Sequence, residues 1–246
     1  MKLIITLLFT LFFISVKANG ISVLTYNVNY KLINKKIIPV LDSINADIVC
    51  LQETNKKWEE IIRNGLDYKY AHMKYRNSNA SGGLAVLSKY PIIDIKYIRN
   101  RPGWFPAAII TIKKDQDTLQ ILNVHLKPPL SDNGWIGWKA SFKADIVHVE
   151  ELKQFMKYVD PNLPTLILGD FNESDKKKAL KWLKDENNFT DALPLFDKRT
   201  KTWRFILLRG RYDHLTFNNK LTCKFARVYK EGRSDHFPVY GEFKIN

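Results

Sequence analysis

The sequence predicts an α/β protein, a layered sandwich in which a mixed β-sheet system carries helices on its outside. Three observations predict it. Short apolar segments rich in β-branched residues outnumber amphipathic helical stretches by more than two to one. Some are joined by tight turns and others by helix-length connections, so antiparallel and parallel neighbours are both expected. The 246 residues are 45% apolar and 13% aromatic, enough for one large core, and no Pro/Gly/Ser-rich linker divides them.

The chain opens with a different composition. MKLIITLLFTLFFISVKANG has Lys2, then an uncharged apolar run from Leu3 to Val16, then small residues at Val16 and Ala18. That is the pattern of a secretory signal peptide cleaved after Ala18. A membrane span needs about 20 apolar residues, so no stable membrane anchor is expected. Residues 1–18 are read as the signal peptide and 19–246 as a single domain, secreted or periplasmic and monomeric.

Thereafter the segments alternate. ISVLTYNV (21–28) is a strand; residues 35–45 place Ile37, Ile38, Val40, Leu41 and Ile44 on a helical face; ADIVCLQE (46–53) is a strand again. Residues 55–64 form a second helix, and GLAVLSKYPI (83–92) a strand ending at Pro91. AAIITIKK (107–114) and TLQILNVHL (118–126) flank a hairpin turn at Asp115-Gln116-Asp117. A polar and aromatic loop, 127–141, precedes a helix carrying Ile146, Val149, Leu152, Met156 and Val159. TLILGDFN (165–172) is a strand, 175–186 a helix, and strands follow around 203–208, 211–217, 222–229 and 237–244.

The charge is +14, and removal of Lys2 and Lys17 with the leader leaves +12. Such a field attracts polyanions: nucleic acid, anionic lipid or phosphorylated sugars. Lys198, Arg199, Lys201, Arg204, Arg209 and Arg211 fall in a stretch without acids that runs into Tyr212-Asp213-His214. Arg209 and Arg211 are therefore expected at substrate. The Lys176–Lys184 run fits an exposed helix face. Of the two cysteines, Cys50 lies in a buried-strand pattern, where a free thiol behaves as a small apolar group, and a disulfide is disfavoured.

The chemistry-bearing residues interrupt apolar strands at their ends. Asn27 lies in YNV, Glu53 ends LQE, Asn123 and His125 lie in NVHL, Asp170 and Asn172 in GDFN, Asp213 in YDHLTF, and Asp235 and His236 in SDHF. Each alone is a common turn or core residue. Together they are a set that strand ends could bring to one rigid pocket. Glu53 and Asp235 offer hard oxygen ligands suited to Mg²⁺ or Mn²⁺. His125 and His236 can exchange protons near neutral pH. Asn27, Asn123 and Asn172 can hydrogen-bond a phosphoryl oxygen. No Gly-rich phosphate loop and no GxSxG elbow is present.

With YNV, LQE, GLAVLSKYPI, NVHL, GDFN, YDHLTF and SDHFPV in this order, the chain resembles the endonuclease/exonuclease/phosphatase family, which includes pancreatic deoxyribonuclease. The resemblance implies a four-layer sandwich, two packed mixed β-sheets flanked by helices, and metal-assisted phosphoester hydrolysis. It implies that Glu53, with Asn27 and Asp235, binds the cation. His236 would be the base that activates water, oriented by Asp213. Asp170 and Asn172 would position water and phosphate, and His125 would act on the phosphate or leaving oxygen. Asn29 stands where the family's repair endonucleases carry Asp, and GRYDHL replaces the Trp-Cys-Asp-Arg pattern of its inositol phosphatases.

The expected function is a secreted or periplasmic metal-dependent nuclease cleaving DNA or RNA, with Trp104, Phe105, Trp135 and Trp138 in loops where they could stack on bases. Trp135 is taken as a substrate residue. The alternative is a sphingomyelinase-type lipid phosphodiesterase or phosphoinositide phosphatase, which a long exposed apolar hairpin would support. A non-catalytic polyanion-binding module is disfavoured by the complete set of acids and imidazoles.

Overall fold

The structure, a computed structural model, describes residues 20–75, 81–99, 103–130 and 138–246, the side chains of 138–142 excepted. The leader at 1–18 and Trp135 lie outside the described residues. Among the described residues no helix is long and apolar enough to cross a membrane.

The elements run β1 (Gly20–Asn27), α1 (Ile37–Ile44), β2 (Ile48–Gln52), α2 (Lys56–Gly65), β3 (Tyr70–Lys74), β4 (Leu84–Ser88) and β5 (Ile92–Ile98). There follow β6 (Ala107–Lys114), β7 (Asp117–His125), α3 (Trp138–Met156), β8 (Thr165–Asp170), α4 (Lys178–Asn187) and β9 (Thr190–Asp191). The chain closes with α5 (Leu193–Phe196), β10 (Trp203–Phe205), β11 (Leu208–Gly210), β12 (Asp213–Phe217), β13 (Leu221–Val228) and β14 (Val239–Ile245).

Two six-stranded mixed sheets result, ordered β13-β14-β1-β2-β4-β3 and β5-β6-β7-β8-β12-β9, with β10-β11 a separate hairpin. Val23, Cys50 and Val86 of the first sheet meet Ile110, Ile121, Leu168 and Leu215 of the second in one shared core. The opposite faces are also apolar. Leu24, Leu51 and Leu87 pack under Ile37, Leu41, Trp58 and Ile62 of α1 and α2. Leu122, Val124 and Ile167 pack under Leu152, Phe155, Leu180 and Leu183 of α3 and α4. Central strands covered on both faces explain the unbroken apolar runs of β2, β4 and β8. The four layers match the expected sandwich.

Each sheet holds one central parallel pair, β1 with β2 and β7 with β8, flanked by antiparallel neighbours. In the registers Asn27 lies opposite Gln52, and His125 opposite Asp170. The carboxyl ends of both pairs therefore present the polar residues singled out in the sequence. Gly169 allows this at the second pair: its φ is 137°, and a Cβ there would meet the Val124 carbonyl oxygen at 1.9 Å.

Several boundaries differ from the sequence reading. The segment 83–92 is not one strand. β4 ends at Ser88, and after Pro91 the chain enters the second sheet as β5. The edge strand β3 and the one-turn α5 were not anticipated; β3 is half exposed and carries only a weak apolar alternation. Ile146, placed on the packed face of α3, is exposed. Both cysteines are free.

Behind the strand ends two buried histidines brace the loops. His148 Nδ1 lies 2.8 Å from Glu173 Oε2 and its Nε2 2.6 Å from the Lys127 carbonyl oxygen. His214 bridges Asp191 Oδ2 at 2.8 Å and the Glu173 carbonyl oxygen at 3.0 Å. Glu173 Oε1 accepts from the Ala179 and Leu180 amides at the start of α4. Each ring faces a carbonyl and a carboxylate, so both nitrogens act as donors and the rings are held as imidazolium. Burial would lower their pKa values. For His148 the hydrogen bond and charge of Glu173 prevail, and for His214 the charge and hydrogen bond of Asp191, leaving both above the ordinary value.

Two outcomes are expected. A group whose folded pKa is raised contributes fully below its unfolded value, near 6.5, and loses that contribution as pH rises through the folded one. The melting temperature should therefore fall on the alkaline side of neutrality, and the fall should be shallower in His148→Gln; equal slopes would exclude a charged His148. Gly169→Ala should cost about 2 kcal/mol or more in urea unfolding, because neither φ nor space suits a Cβ.

Candidate active site

The two parallel pairs deliver their last side chains to one cleft between the sheets. Asn27, at the end of β1, donates from Nδ2 to Glu53 Oε1 at 3.2 Å and to Asp170 Oδ2 at 2.9 Å, joining the two sheets. Its Oδ1 accepts the Asn29 amide at 3.0 Å. Asp170 repeats this turn, with Oδ1 accepting the Asn172 amide at 2.9 Å. Asn29 and Asn172 both take left-handed φ, 57° and 51°, a conformation Asn tolerates because its side chain bonds locally.

Glu53 also has positive φ, 60°, which is uncommon for Glu and places its carboxylate in the cleft. Its Oε2 accepts the Tyr30 amide at 3.1 Å. Burial pushes its carboxyl up to about 7, against the hydrogen bonds from Tyr30 and Asn27 and the charge of His236.

His125 lies 3.6 Å through Nε2 from Asp170 Oδ2 and 3.9 Å from Glu53 Oε1. Its ring stacks on Phe105 at 4.1 Å and 15°. Burial lowers His125 to about 4 despite the pull of Asp170, so it stays neutral.

The dyad expected at the chain's end is formed. His236 Nδ1 lies 2.8 and 3.0 Å from the two oxygens of Asp213, and Nε2 lies 3.5 Å from Asp170 Oδ2. Burial opposes the charged form of His236. The charges of Asp213 and Asp170 outweigh it and raise His236 to about 10. Asp213 is held by its own amide, which with that of Tyr212 donates to Thr202 Oγ1 at 3.0 Å. The SDH segment is pinned from below: Tyr26 Oη accepts the Arg233 and Ser234 amides at 3.2 Å.

Asp235 is adjacent but differently engaged. Its Oδ1 accepts from Asn29 Nδ2 at 2.8 Å and from Ser234 Oγ at 3.2 Å, and its Oδ2 from Trp203 Nε1 at 3.0 Å. Burial works against its ionised form, but the charge of His236 and the bonds from Asn29 and Trp203 hold its carboxyl below the usual range.

Asn27, Glu53, His125, Asp170, Asn172, Asp213, Asp235 and His236 are thus brought into one contiguous network. Two expected substrate residues are placed otherwise. Asn123 is fully buried between the sheets, where Oδ1 accepts from Gln52 Nε2 at 2.7 Å. Arg211 is also buried and closes a loop through Nε to the Thr200 carbonyl at 3.2 Å and Nη2 to the Asp197 carbonyl at 3.0 Å. Both are engaged within the fold, because residue type in a sequence does not show direction. Arg209 is exposed on β11, opposite Arg204. Trp104 is exposed with the Lys127 ammonium 4.6 Å from its ring, and Phe105 packs on His125 instead of standing free for a base.

Asn29, Trp203, Thr202 and Tyr26 were missed as site residues. Asn29 sits two positions beyond Asn27, and Trp203 interrupts the basic run; those were the available signals. The donor set suits a hard cation. Glu53 offers oxygen in a dry place where its charge is disfavoured, and positive charge beside it would restore the ionised form. Asp170, Asp213 and His236 also bring ligand-type atoms within 4.8 Å of one another.

A family model described as the Endonuclease/Exonuclease/phosphatase family matches residues 24–236. No curated protein matches the chain. Among solved structures, D. rerio TDP2 complexed with single strand DNA product is similar with TM-score 0.70 and 14% identity, over 92% of this chain and 99% of that one. An endonuclease/exonuclease/phosphatase from Beutenbergia cavernae DSM 12333 gives 0.72 and 14%, over 92% and 72%. A functionally unknown conserved protein from Enterococcus faecalis V583 gives 0.69 and 17%, over 92% and 100%. At these identities the structural likeness shows the fold; the family match, spanning most of the sequence, shows that the chain belongs to the Endonuclease/Exonuclease/phosphatase family, whose members hydrolyse phosphoester bonds.

Proposed function

We propose that this protein is an exported, divalent-cation-dependent phosphodiesterase that cleaves DNA or RNA. The observation that carries the reading is the junction of Glu53, Asn27 and Asp170 with the Asp213–His236 dyad across the two sheets. His236 Nδ1 is committed to Asp213, so once positive charge at Glu53 offsets the acids that keep the ring charged, Nε2 is the atom left to accept a proton from water. Asp213 fixes the ring and stabilises the imidazolium that forms. Neutral His125 gives a phosphoryl oxygen a hydrogen bond without adding charge. Asn27 and Asn172 keep the Asp170 carboxylate aimed.

Glu53 would hold the cation, Mg²⁺ or Mn²⁺. When bound, such an ion supplies positive charge to the phosphoryl oxygens and to the leaving oxygen. The net charge, +14 and still +12 without Lys2 and Lys17, supports a polyanionic substrate, and a structural relative was obtained with a single strand DNA product. The N-terminal segment supports export. The second reading, a lipid phosphodiesterase, is favoured by one observation, the exposed apolar tip of the β10–β11 hairpin.

Plasmid DNA, RNA, sphingomyelin and inositol phosphates, each offered with Mg²⁺ and with EDTA, test the proposal. Nucleic acid should be cleaved only with the metal. Turnover confined to sphingomyelin or inositol phosphates would select the second reading, and cleavage persisting in EDTA would remove the cation. His236→Ala should lower kcat by about 10²–10⁴-fold, and Asp213→Asn should also fall by at least about 10²-fold, with unfolding midpoints recorded to exclude loss of fold.

A further inference from the structure

The β10–β11 hairpin exposes four consecutive apolar side chains. Phe205, Ile206, Leu207 and Leu208 are 56%, 83%, 89% and 64% accessible. Large apolar residues on a soluble surface normally occur singly, and a contiguous exposed patch marks a binding surface. Phe205 pairs with Leu208, so Ile206 and Leu207 form a two-residue turn. Ile206 has φ 52° at the first turn position, where Gly is usual. A β-branched residue there is strained, yet it adds apolar surface at the most exposed point.

The legs of the hairpin are cationic. Arg204 lies directly opposite Arg209, a like-charge pair that is unfavourable unless anions approach. Lys198, Arg199 and Lys201 are exposed just before them, and no acid occurs from 198 to 211. An apolar tip ringed by cations matches a bilayer interface, where apolar groups sink to the acyl boundary and cations sit among anionic headgroups. A nucleic acid would offer the tip less. One Phe can stack on a base, but three aliphatic side chains have no stacking face.

The hairpin is rooted in the site. Trp203 forms a bridge to His236 and donates to Asp235, and the Arg204 amide donates to the Asp235 carbonyl at 2.9 Å. Three residues per leg at about 3.3 Å each give a reach of about 10 Å, comparable to the interfacial depth such elements occupy. We propose that residues 205–208 are an interfacial anchor that docks this protein on an anionic lipid bilayer. The proposal does not depend on which phosphodiester is cleaved.

Co-sedimentation with phosphatidylglycerol/phosphatidylcholine vesicles in EDTA, where turnover is suppressed, tests it separately from the reaction. The wild type should bind these vesicles, bind pure phosphatidylcholine more weakly, and lose affinity at high salt. The double variant Ile206→Asn/Leu207→Ser should bind at least tenfold more weakly. It should hydrolyse bis(p-nitrophenyl) phosphate in solution as the wild type does. If it fails to fold, Leu207→Asn alone replaces it, since that position has no positive φ. Wild type and variants are compared in the exported form cleaved after Ala18, so the apolar leader adds no vesicle binding of its own. Unchanged vesicle binding in the variant, or no binding by the wild type, would overturn the proposal. A variant that loses DNA affinity in a gel shift while vesicle binding is absent throughout would assign the tip to nucleic acid instead.

Discussion

The site depends on one amide. Asn27 closes β1 in the first sheet, and its side-chain nitrogen bonds Glu53 beside it and Asp170 at the end of β8 in the second. That contact is made where two parallel strand pairs, one per sheet, end together. A packed sandwich fixes the relation between its sheets through the shared core, so the polar junction costs little further ordering. The carboxylates are thereby held a few ångströms apart before any ligand arrives, which is the preorganisation that phosphoryl chemistry needs.

Electrostatics then divides the work. Glu53 is driven toward its neutral form by burial, His125 is kept neutral by the same cause, and His236 is driven toward its charged form by the acids around it. These displacements arise from two opposed effects, desolvation and unbalanced negative charge. A divalent cation beside Glu53 would act on both, favouring the carboxylate and lowering the proton affinity of His236. Asp235 differs because three donors already satisfy it, and it serves as the link between the cleft and the hairpin root at Trp203.

The support beneath the cleft is as polar as the cleft itself. His148, His214 and Glu173 form a buried charged brace that ties the Lys127 backbone, the loop after β8 and the start of α4 together. Buried charges of this kind cost desolvation and are tolerated where each group is bonded. Here the brace fixes the ends of the loops that follow His125 and Asp170. His148 sits inside α3 and His214 inside β12, while Glu173 lies in the polar loop after β8, so they read in sequence as ordinary core or loop positions.

The chain order of apolar segments, by itself, determined the α/β class and most of the strands, because burial on both faces demands unbroken apolar runs whatever their partners. The residue types at the strand ends likewise singled out Glu53, Asp170, Asp213 and His236 as one set, which the structure brings together. Direction and partnership were decided only by the tertiary structure. Asn123 and Arg211 resemble substrate residues in sequence but are turned into the fold, Asp235 is bonded to Asn29 and Trp203, and the 203–210 segment stands out as a hairpin instead of joining a sheet. Those outcomes depend on which distant segments pack against each side chain, and a side chain's identity sets what it can bond, while its neighbours in space set what it does bond.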